Sequence, residues 1–416
     1  MFILSRLLMA LPVILMLHGV SSHAENAEHA DELIADDALS LRGLVEKSLL
    51  YYPNYQLLAA KKIELDARRI QAKGILPSAP SVMLRNQNDR LLSRRGETEW
   101  EAGLEIPIWL SGQRKAREAI AAISAENIKG DEQNMRLQVA GMVRDALWNI
   151  QLMQGFAALA IAKHDAVSQL ERDVERRVKL GDLAQKDLLV AQTETLQAES
   201  EKISAEAEVQ HAKFRYINLT GMNKIPAEFT ETKSNKNDVD QAHPALLDAN
   251  SKIALSAEKR NLAQIETRDN STLTLGTRSL RGASDIHYNN SIGLALRIPL
   301  QTETRNAPLL AAAEMHYTEQ QVNLGHLKLL LAAAMHEAEH NLEVGVLQLE
   351  VLAKQNAIAK QSLLVARKAF QLGELDLSEL IRIQTQAFNA ERQLKNQQIQ
   401  QHWNTARFNQ AVGELP

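Results

Sequence analysis

Cysteine is absent from this 416-residue chain, and only 4% of the residues are aromatic. Without cysteine the chain cannot form disulfides, bind metals through thiolates or carry a lipid on an N-terminal cysteine. Glycine and proline are also sparse, with 18 and 10 residues. Alanine, leucine, glutamine and charged residues dominate, which is typical of long helices and coiled coils rather than compact mixed domains. We therefore expect a long, thin core.

The chain also lacks an excess of basic charge, and long apolar runs are scarce. The formal net charge is −4, so the composition gives no support to a nucleic-acid partner. An apolar run over residues 7–17 follows Arg6 and precedes the triplet Ser22-His23-Ala24. This pattern predicts a secretory signal peptide over residues 1–24, because the run is shorter than the roughly 20 residues of a membrane-spanning helix. The mature chain is expected to leave the cytoplasm.

Glycine and proline landmarks recur at a fixed spacing along the chain. The pairs that differ by 192 positions are Pro107 and Pro299, Gly181 and Gly373, and Gly221 and Gly413. A spacing held over several landmarks indicates two copies of one structural unit. The repeats are predicted at 25–221 and 244–416, with a polar linker at 222–243.

Each repeat is predicted to contain a helix, a β-hairpin, a very long helix, a tight turn and a returning helix. The apolar residues of 100–108 alternate with polar ones, which indicates a half-buried strand. Glycines at 181 and 373 suit the left-handed position that ends a helix. The hairpins are expected at about 80–108 and 271–299, and the helices at 39–73, 113–179, 185–218, 304–372 and 378–410.

Four amphipathic strands with an apolar face need special surroundings, because an isolated hairpin pair is marginal in water and has open edges. In an exported chain such strands are stable in a closed barrel in an outer membrane, where every backbone group is paired. Single-chain barrels have about eight strands or more. Several chains must therefore contribute strands to one barrel.

The duplicated order resembles the TolC-like outer membrane efflux family. The resemblance is carried by Glu105-Ile106-Pro107, Gly112-Gln113-Arg114-Lys115-Ala116, the two glycine turns and Leu219-Thr220-Gly221. It implies a mainly α fold with a small β part, in which a homotrimer shares a twelve-stranded transmembrane β-barrel that continues into a periplasmic α-barrel of long helices. Four strands come from each chain.

Within that family the chain is similar to the heavy-metal branch, the outer component of cobalt-zinc-cadmium type exporters. The resemblance implies a passive duct without a cofactor that sits in outer membrane lipid and docks on a periplasmic membrane-fusion adaptor and an inner-membrane RND pump. Multidrug efflux and type I secretion channels are alternatives. More distant ones are a periplasmic coiled-coil adaptor and a zinc protease.

Residues that line, close or dock the duct are the candidate functional residues. The apolar face of the strands should meet lipid, and Glu101, Glu105 and Arg297 should face the lumen. Glu105 and Arg297 differ by 192 positions and are expected at matching levels of the barrel.

The resemblance implies a ring of acidic side chains at the periplasmic tip, at Glu379. Where relatives carry a second acid, this chain has Arg382. Asp376 and Asp187 are further gate candidates, although charges at a helix start also stabilise the helix dipole. Adaptor docking is expected at the tip turns, through Gly181, Gly373, Arg177, Lys179, Leu183, Leu372, Leu375 and Leu377.

One motif points to a different chemistry. Residues 336–340 read His-Glu-Ala-Glu-His and match the H-E-x-x-H zinc-protease pattern. A catalytic zinc also needs a third ligand and a closed pocket, whereas this segment lies within a predicted long helix. We expect at most a weak metal contact at His336 and His340, and no enzyme.

Overall fold

The computed structural model describes residues 32–236 and 238–416, and the predicted signal peptide lies outside them. The described part is an elongated array of helices with a small sheet. In chain order the elements are β1 (Ile34–Asp36), α1 (Leu41–Tyr51), α2 (Tyr55–Lys73), β2 (Ser81–Asn88), β3 (Thr98–Ile108), α3 (Gln113–Lys179), α4 (Gln185–Thr220), β4 (Lys224–Pro226), α5 (Pro244–Ile265), β5 (Ser271–Arg281), β6 (Asn289–Arg297), α6 (Glu303–Leu372) and α7 (Leu377–Ala411).

The two very long helices are confirmed. Helix α3 has 67 residues and α6 has 70, so each spans roughly 100 Å at 1.5 Å per residue. The predicted helix at 39–73 is wrong in one respect, because the structure divides it into α1 and α2 around Pro53. Proline lacks the N–H that a continuous helix would use and restrains the residue before it.

Glycines end both long helices in the predicted way. Gly181 and Gly373 have φ angles of 82° and 76°, which residues with a Cβ rarely adopt. The N–H of Asp182 donates to the carbonyl of Arg177 at 2.9 Å, and the N–H of Glu374 donates to that of Ala369 at 2.9 Å. These bonds complete a Schellman motif in each repeat and reverse the chain into the returning helix.

The four predicted strands form one antiparallel sheet in the order β2-β3-β5-β6. Ser81 lies opposite Glu105 and Thr272 lies opposite Arg297. Glu105 and Arg297 differ by 192 positions and Ser81 and Thr272 by 191, so the two hairpins have the same register once one extra residue is allowed between the strands of the second. Strands β3 and β5 join the two hairpins directly.

The predicted linker at 222–243 packs closely on the helices. Its strand β4 pairs in parallel with β1, and both three-residue strands are too short to give a periodic signal in the sequence. The buried guanidinium of Arg144 binds both carboxylate oxygens of Glu231 in the linker at 2.8 and 2.6 Å, and also the Gln410 side chain at 2.7 Å and the Glu414 carbonyl at 3.1 Å. Arg144 therefore ties the linker and the end of α7 to α3.

Candidate functional site

The sheet has one apolar and one polar face. Residues directly opposite each other in a ladder share a face, so the register places Leu84, Ala102, Thr277 and Ile292 on one side. No described residue covers this apolar face, and Leu294 in the middle of β6 is 72% exposed. Large apolar side chains left open in this way indicate a surface that another apolar medium or partner covers.

Glu101, Glu105 and Arg297 all lie on the opposite, polar face. Arg278 donates to both carboxylate oxygens of Glu99 at 2.6 and 2.9 Å, and Ser81 donates to Glu105 at 2.8 Å. Glu105 lies opposite Thr274, whereas Arg297 lies opposite Thr272. Within one chain Glu105 and Arg297 are therefore not neighbours, although they hold the same position in their two hairpins.

Charges of both signs balance on the polar face. The face carries three acids and three arginines, namely Glu99, Glu101, Glu105, Arg85, Arg278 and Arg297. Because these charges offset each other, the strand region provides no strong net field for one ion type.

Each outer strand pairs on one side only within the described residues. Strand β2 pairs with β3, and β6 pairs with β5. Both strands present free backbone N–H and C=O groups along their outer edge, which can join another strand.

The tip of the molecule is held together by residues that the sequence suggested for docking. Arg177 lies over the ring of Phe370 at 5.0 Å and donates to its carbonyl at 3.1 Å. Leu377 is only 3% exposed, because it packs in a cluster with Val174, Ala191, Ala366, Phe370 and Leu380. Leu183 and Leu375 are partly buried against the same cluster. These four residues join the two helical hairpins rather than project from them.

Exposed tip residues are fewer than the sequence suggested. Lys179 is exposed and pairs with Glu175 at 2.8 Å. Leu372 is 74% exposed and its repeat equivalent Leu180 is 71% exposed. The sequence analysis did not include Leu180 among the tip residues, although Leu180 lies 192 positions before Leu372 and so holds the same place in the first repeat.

Asp376 and Asp187 are engaged in capping helix starts. The Asp376 carboxylate accepts the N–H of Glu379 at 2.7 Å at the start of α7. The Asp187 carboxylate accepts the N–H of Ala184 at 3.2 Å at the start of α4. Both bonds satisfy backbone donors that a helix leaves free at its N-terminus.

Glu379 is held by the next basic residue on its own helix. Arg382 donates to both Glu379 oxygens, through Nε at 2.7 Å and through Nη2. This hydrogen-bonded guanidinium lowers the pKa of Glu379 below its ordinary value. The carboxylate is therefore ionised at neutral pH, but its charge is paired within the same chain.

His336 and His340 lie on the exposed side of α6. Their rings are 6.4 Å apart and close to parallel, with an interplanar angle of 15°. Within residues 32–236 and 238–416 of a single chain, no group of three or more histidines or acids is placed to hold a metal ion. The single chain thus supplies a histidine pair without a third ligand.

Two helices carry apolar stripes that no other described residue covers. The exposed residues on α4 and α6 recur every seven positions, which is the spacing of a coiled-coil seam. They are Leu189, Leu196 and Ile203 on α4, and Val351, Ile358, Val365 and Leu372 on α6.

Among the described residues, none of the helices has a stretch long and apolar enough to cross a membrane.

Comparison with known proteins finds likeness in structure alone. No protein-family model matches the chain, and no curated protein matches it in sequence. The outer membrane protein VceC of Vibrio cholerae superposes with a TM-score of 0.71 at 17% identity, over 90% of this chain and 96% of VceC. The CmeC outer membrane channel of Campylobacter jejuni gives 0.73 at 13% identity, over 90% and 85%.

A third solved structure, CusC, was studied for the changes that accompany its folding and transmembrane channel formation. It superposes with a TM-score of 0.68 at 15% identity, over 92% of this chain and 93% of CusC. All three likenesses extend over both repeats. The chain therefore has the TolC-like channel fold, mainly helical with long helices and a small β part.

Proposed function

We propose that this protein is the outer membrane exit duct of a tripartite RND-type efflux system, working as a homotrimer that exports divalent heavy-metal cations. It is a passive channel without covalent chemistry or a cofactor. The observation that carries the proposal is the sheet, with one uncovered apolar face, one charged face and two open edges. Three such sheets joined edge to edge give a closed barrel of twelve strands, and closure removes every unpaired edge.

The helices support the same assembly. In one chain the stripes on α4 and α6 are uncovered, and burying each large apolar side chain contributes roughly 1.5–3 kcal/mol. A ring of three chains covers every stripe by setting α4 of one copy against α6 of the next. The helical wall then continues the barrel away from the membrane towards the tip, where an adaptor and a pump would dock.

Neighbouring residues of β6 offer a sharp test of the lipid-facing side. Leu294→Arg is expected to destabilise the inserted trimer by about 2–4 kcal/mol per copy, because it places a charge against hydrocarbon. Ala295→Arg changes the adjacent position on the polar face, so we expect trimers to survive it. The readout is the proportion of heat-resistant trimer on unboiled gels of outer-membrane fractions. Equal trimer levels for the two variants would contradict the assignment of faces.

The metal substrate rests on the sequence resemblance to the heavy-metal branch, and growth tests address it directly. A deletion strain should become sensitive to some of Zn, Co, Cd, Ni, Cu and Ag while keeping its tolerance of dyes and antibiotics. The intact gene should restore metal tolerance, whereas the Leu294→Arg variant should not. Sensitivity to drugs alone would refute the metal substrate and favour a multidrug duct with the same fold.

A further inference from the structure

The internal repeat predicts how neighbouring copies touch. In one chain, α3 of the first repeat packs against α7 of the second, whereas α4 and α6 make no comparable contact within the described residues. A shift of 192 positions converts α3 into α6 and α7 into α4. In a closed ring of repeats, α6 of one copy should therefore meet α4 of the neighbouring copy in the manner of the α3 and α7 contact.

Paired changes in side-chain size support this register. Gly155 of α3 makes room for Ile399 of α7, since a Cβ at Gly155 would lie 3.2 Å from the Ile399 Cδ1 atom. The equivalent pair is Leu347 and Ala207. The small and large residues have changed places, so the total side-chain volume at the contact changes by only one methylene, as close packing requires.

A second contact shows the same compensation in a milder form. Gly141 lies against the side chain of Gln410, whose amide carbon would be 3.0 Å from a Cβ at that glycine. The equivalents are Ala333 and Asn218. One residue gains a methyl group where its partner loses a methylene, which again fits a shared contact.

Between these two contacts, two tryptophans and an aspartate meet where α3 packs on α7. The Trp403 Nε1 atom of α7 donates to the Asp145 carboxylate of α3 at 2.7 Å. Trp148 of α3 packs in the same cluster as Trp403. The equivalents of Trp403, Asp145 and Trp148 are His211, Glu337 and His340. The two tryptophans of the contact within the chain are therefore replaced by two histidines, which can bind a metal, in the expected contact between copies.

We propose that His336 and His340 of one copy and His211 of the neighbouring copy form a divalent transition-metal site in the helical wall, with one ion per copy. Imidazole nitrogens suit Zn²⁺, Co²⁺, Ni²⁺ and Cu²⁺. Two histidines four positions apart on a helix can share one metal, and His211 provides the third ligand that a single chain lacks. Glu337 takes the place of Asp145 beside His211, where a carboxylate orients a metal-binding imidazole.

Both histidines on α6 can reach such a geometry. They are exposed in the single chain, so their rings can turn from a 6.4 Å stacked separation towards a common ion. The ion would fasten adjacent copies together. The inference rests on the proposed trimer, because the site does not exist until two copies meet.

Engineered cysteines test the register separately from the metal. The chain has no cysteine of its own, so the double variant Leu347→Cys with Ala207→Cys contains the only two thiols of each copy. After oxidation with diamide, covalent oligomers on non-reducing gels show that a disulfide links separate copies. We expect efficient cross-linking. The matched control combines Leu347→Cys with Leu189→Cys, which lies about 27 Å further along α4 and should not react.

Metal binding is measured on the purified full-length trimer with Co²⁺ as the probe and Zn²⁺ as the competitor. We expect one Co²⁺ per copy with visible absorption of a low-coordinate nitrogen site. His211→Gln and His336→Gln should each weaken Co²⁺ binding at least tenfold, whereas His316→Gln, which lies on α6 outside the proposed site, should leave Co²⁺ binding unchanged. Zn²⁺ should also raise the temperature at which the wild-type trimer dissociates, and EDTA should reverse this.

The outcomes separate the two proposals. If no trimer forms, the proposed assembly fails and the site with it. If trimers form without the expected cross-link, the register and the site are refuted while the duct proposal stands. If the cross-link forms and His211→Gln binds Co²⁺ as tightly as the wild type, the metal site alone is refuted.

Discussion

Replacing Arg144 with methionine is expected to lower the free energy of unfolding by about 3–5 kcal/mol. Methionine keeps an unbranched apolar stem, but it leaves the Glu231 carboxylate without its cation in a largely buried position. It also removes the hydrogen bonds to Gln410 and to the Glu414 carbonyl. The linker and the end of α7 should detach together, because the one guanidinium holds both.

Circular dichroism in a urea series, with purified protein in detergent, measures this loss. Arg68→Met is the matched control, since Arg68 forms an exposed pair with Glu64 and should change stability by less than about 1 kcal/mol. The double variant Arg144→Met with Glu231→Leu should recover much of the lost stability, because it removes the stranded charge. Equal midpoints for Arg144→Met and Arg68→Met would contradict the role of Arg144.

Removing Arg382 is expected to raise the preference for cations over anions by about tenfold in planar bilayers, whereas Glu379→Gln should lower it. Arg382→Gln frees the Glu379 carboxylate from its partner. In the proposed homotrimer, three uncompensated Glu379 carboxylates would surround the axis at the tip and focus a field that attracts cations. Without Arg382 the pKa of Glu379 should also rise towards its ordinary value, so selectivity should be lost at a higher pH than in the wild type.

Asp376 provides the control for the proposed gate at Glu379. Asp376→Asn removes a charge three residues from Glu379 and keeps a residue that caps a helix well. We expect its reversal potential to stay near that of the wild type. If Asp376→Asn shifts selectivity as far as Glu379→Gln does, Glu379 is not the main charge of the gate.

Buried and exposed residues at the predicted docking surface cannot be told apart by their local sequence. Leucines near a glycine turn fit a core and a docking surface equally well, and the tertiary structure buries Leu377 while exposing Leu372. Arg177 had a charge that suggested the surface, but the structure sets it over Phe370 of the other hairpin. Phe370 lies 193 positions from Arg177 in the chain, and the cluster around Leu377 includes Val174 and Ala191 of the first repeat. No local pattern encodes such contacts.

The sequence by itself determined the duplication, the long helices, the glycine-ended turns and the two faces of the strands, because these follow from local periodicity and backbone conformation. Only the tertiary structure decided the pairing of β3 with β5, the parallel pairing of β1 with β4, and the clamp at Arg144. These features join segments that are distant in the chain. Their energy comes from burial and hydrogen bonding in the folded state, so residue order alone does not reveal them.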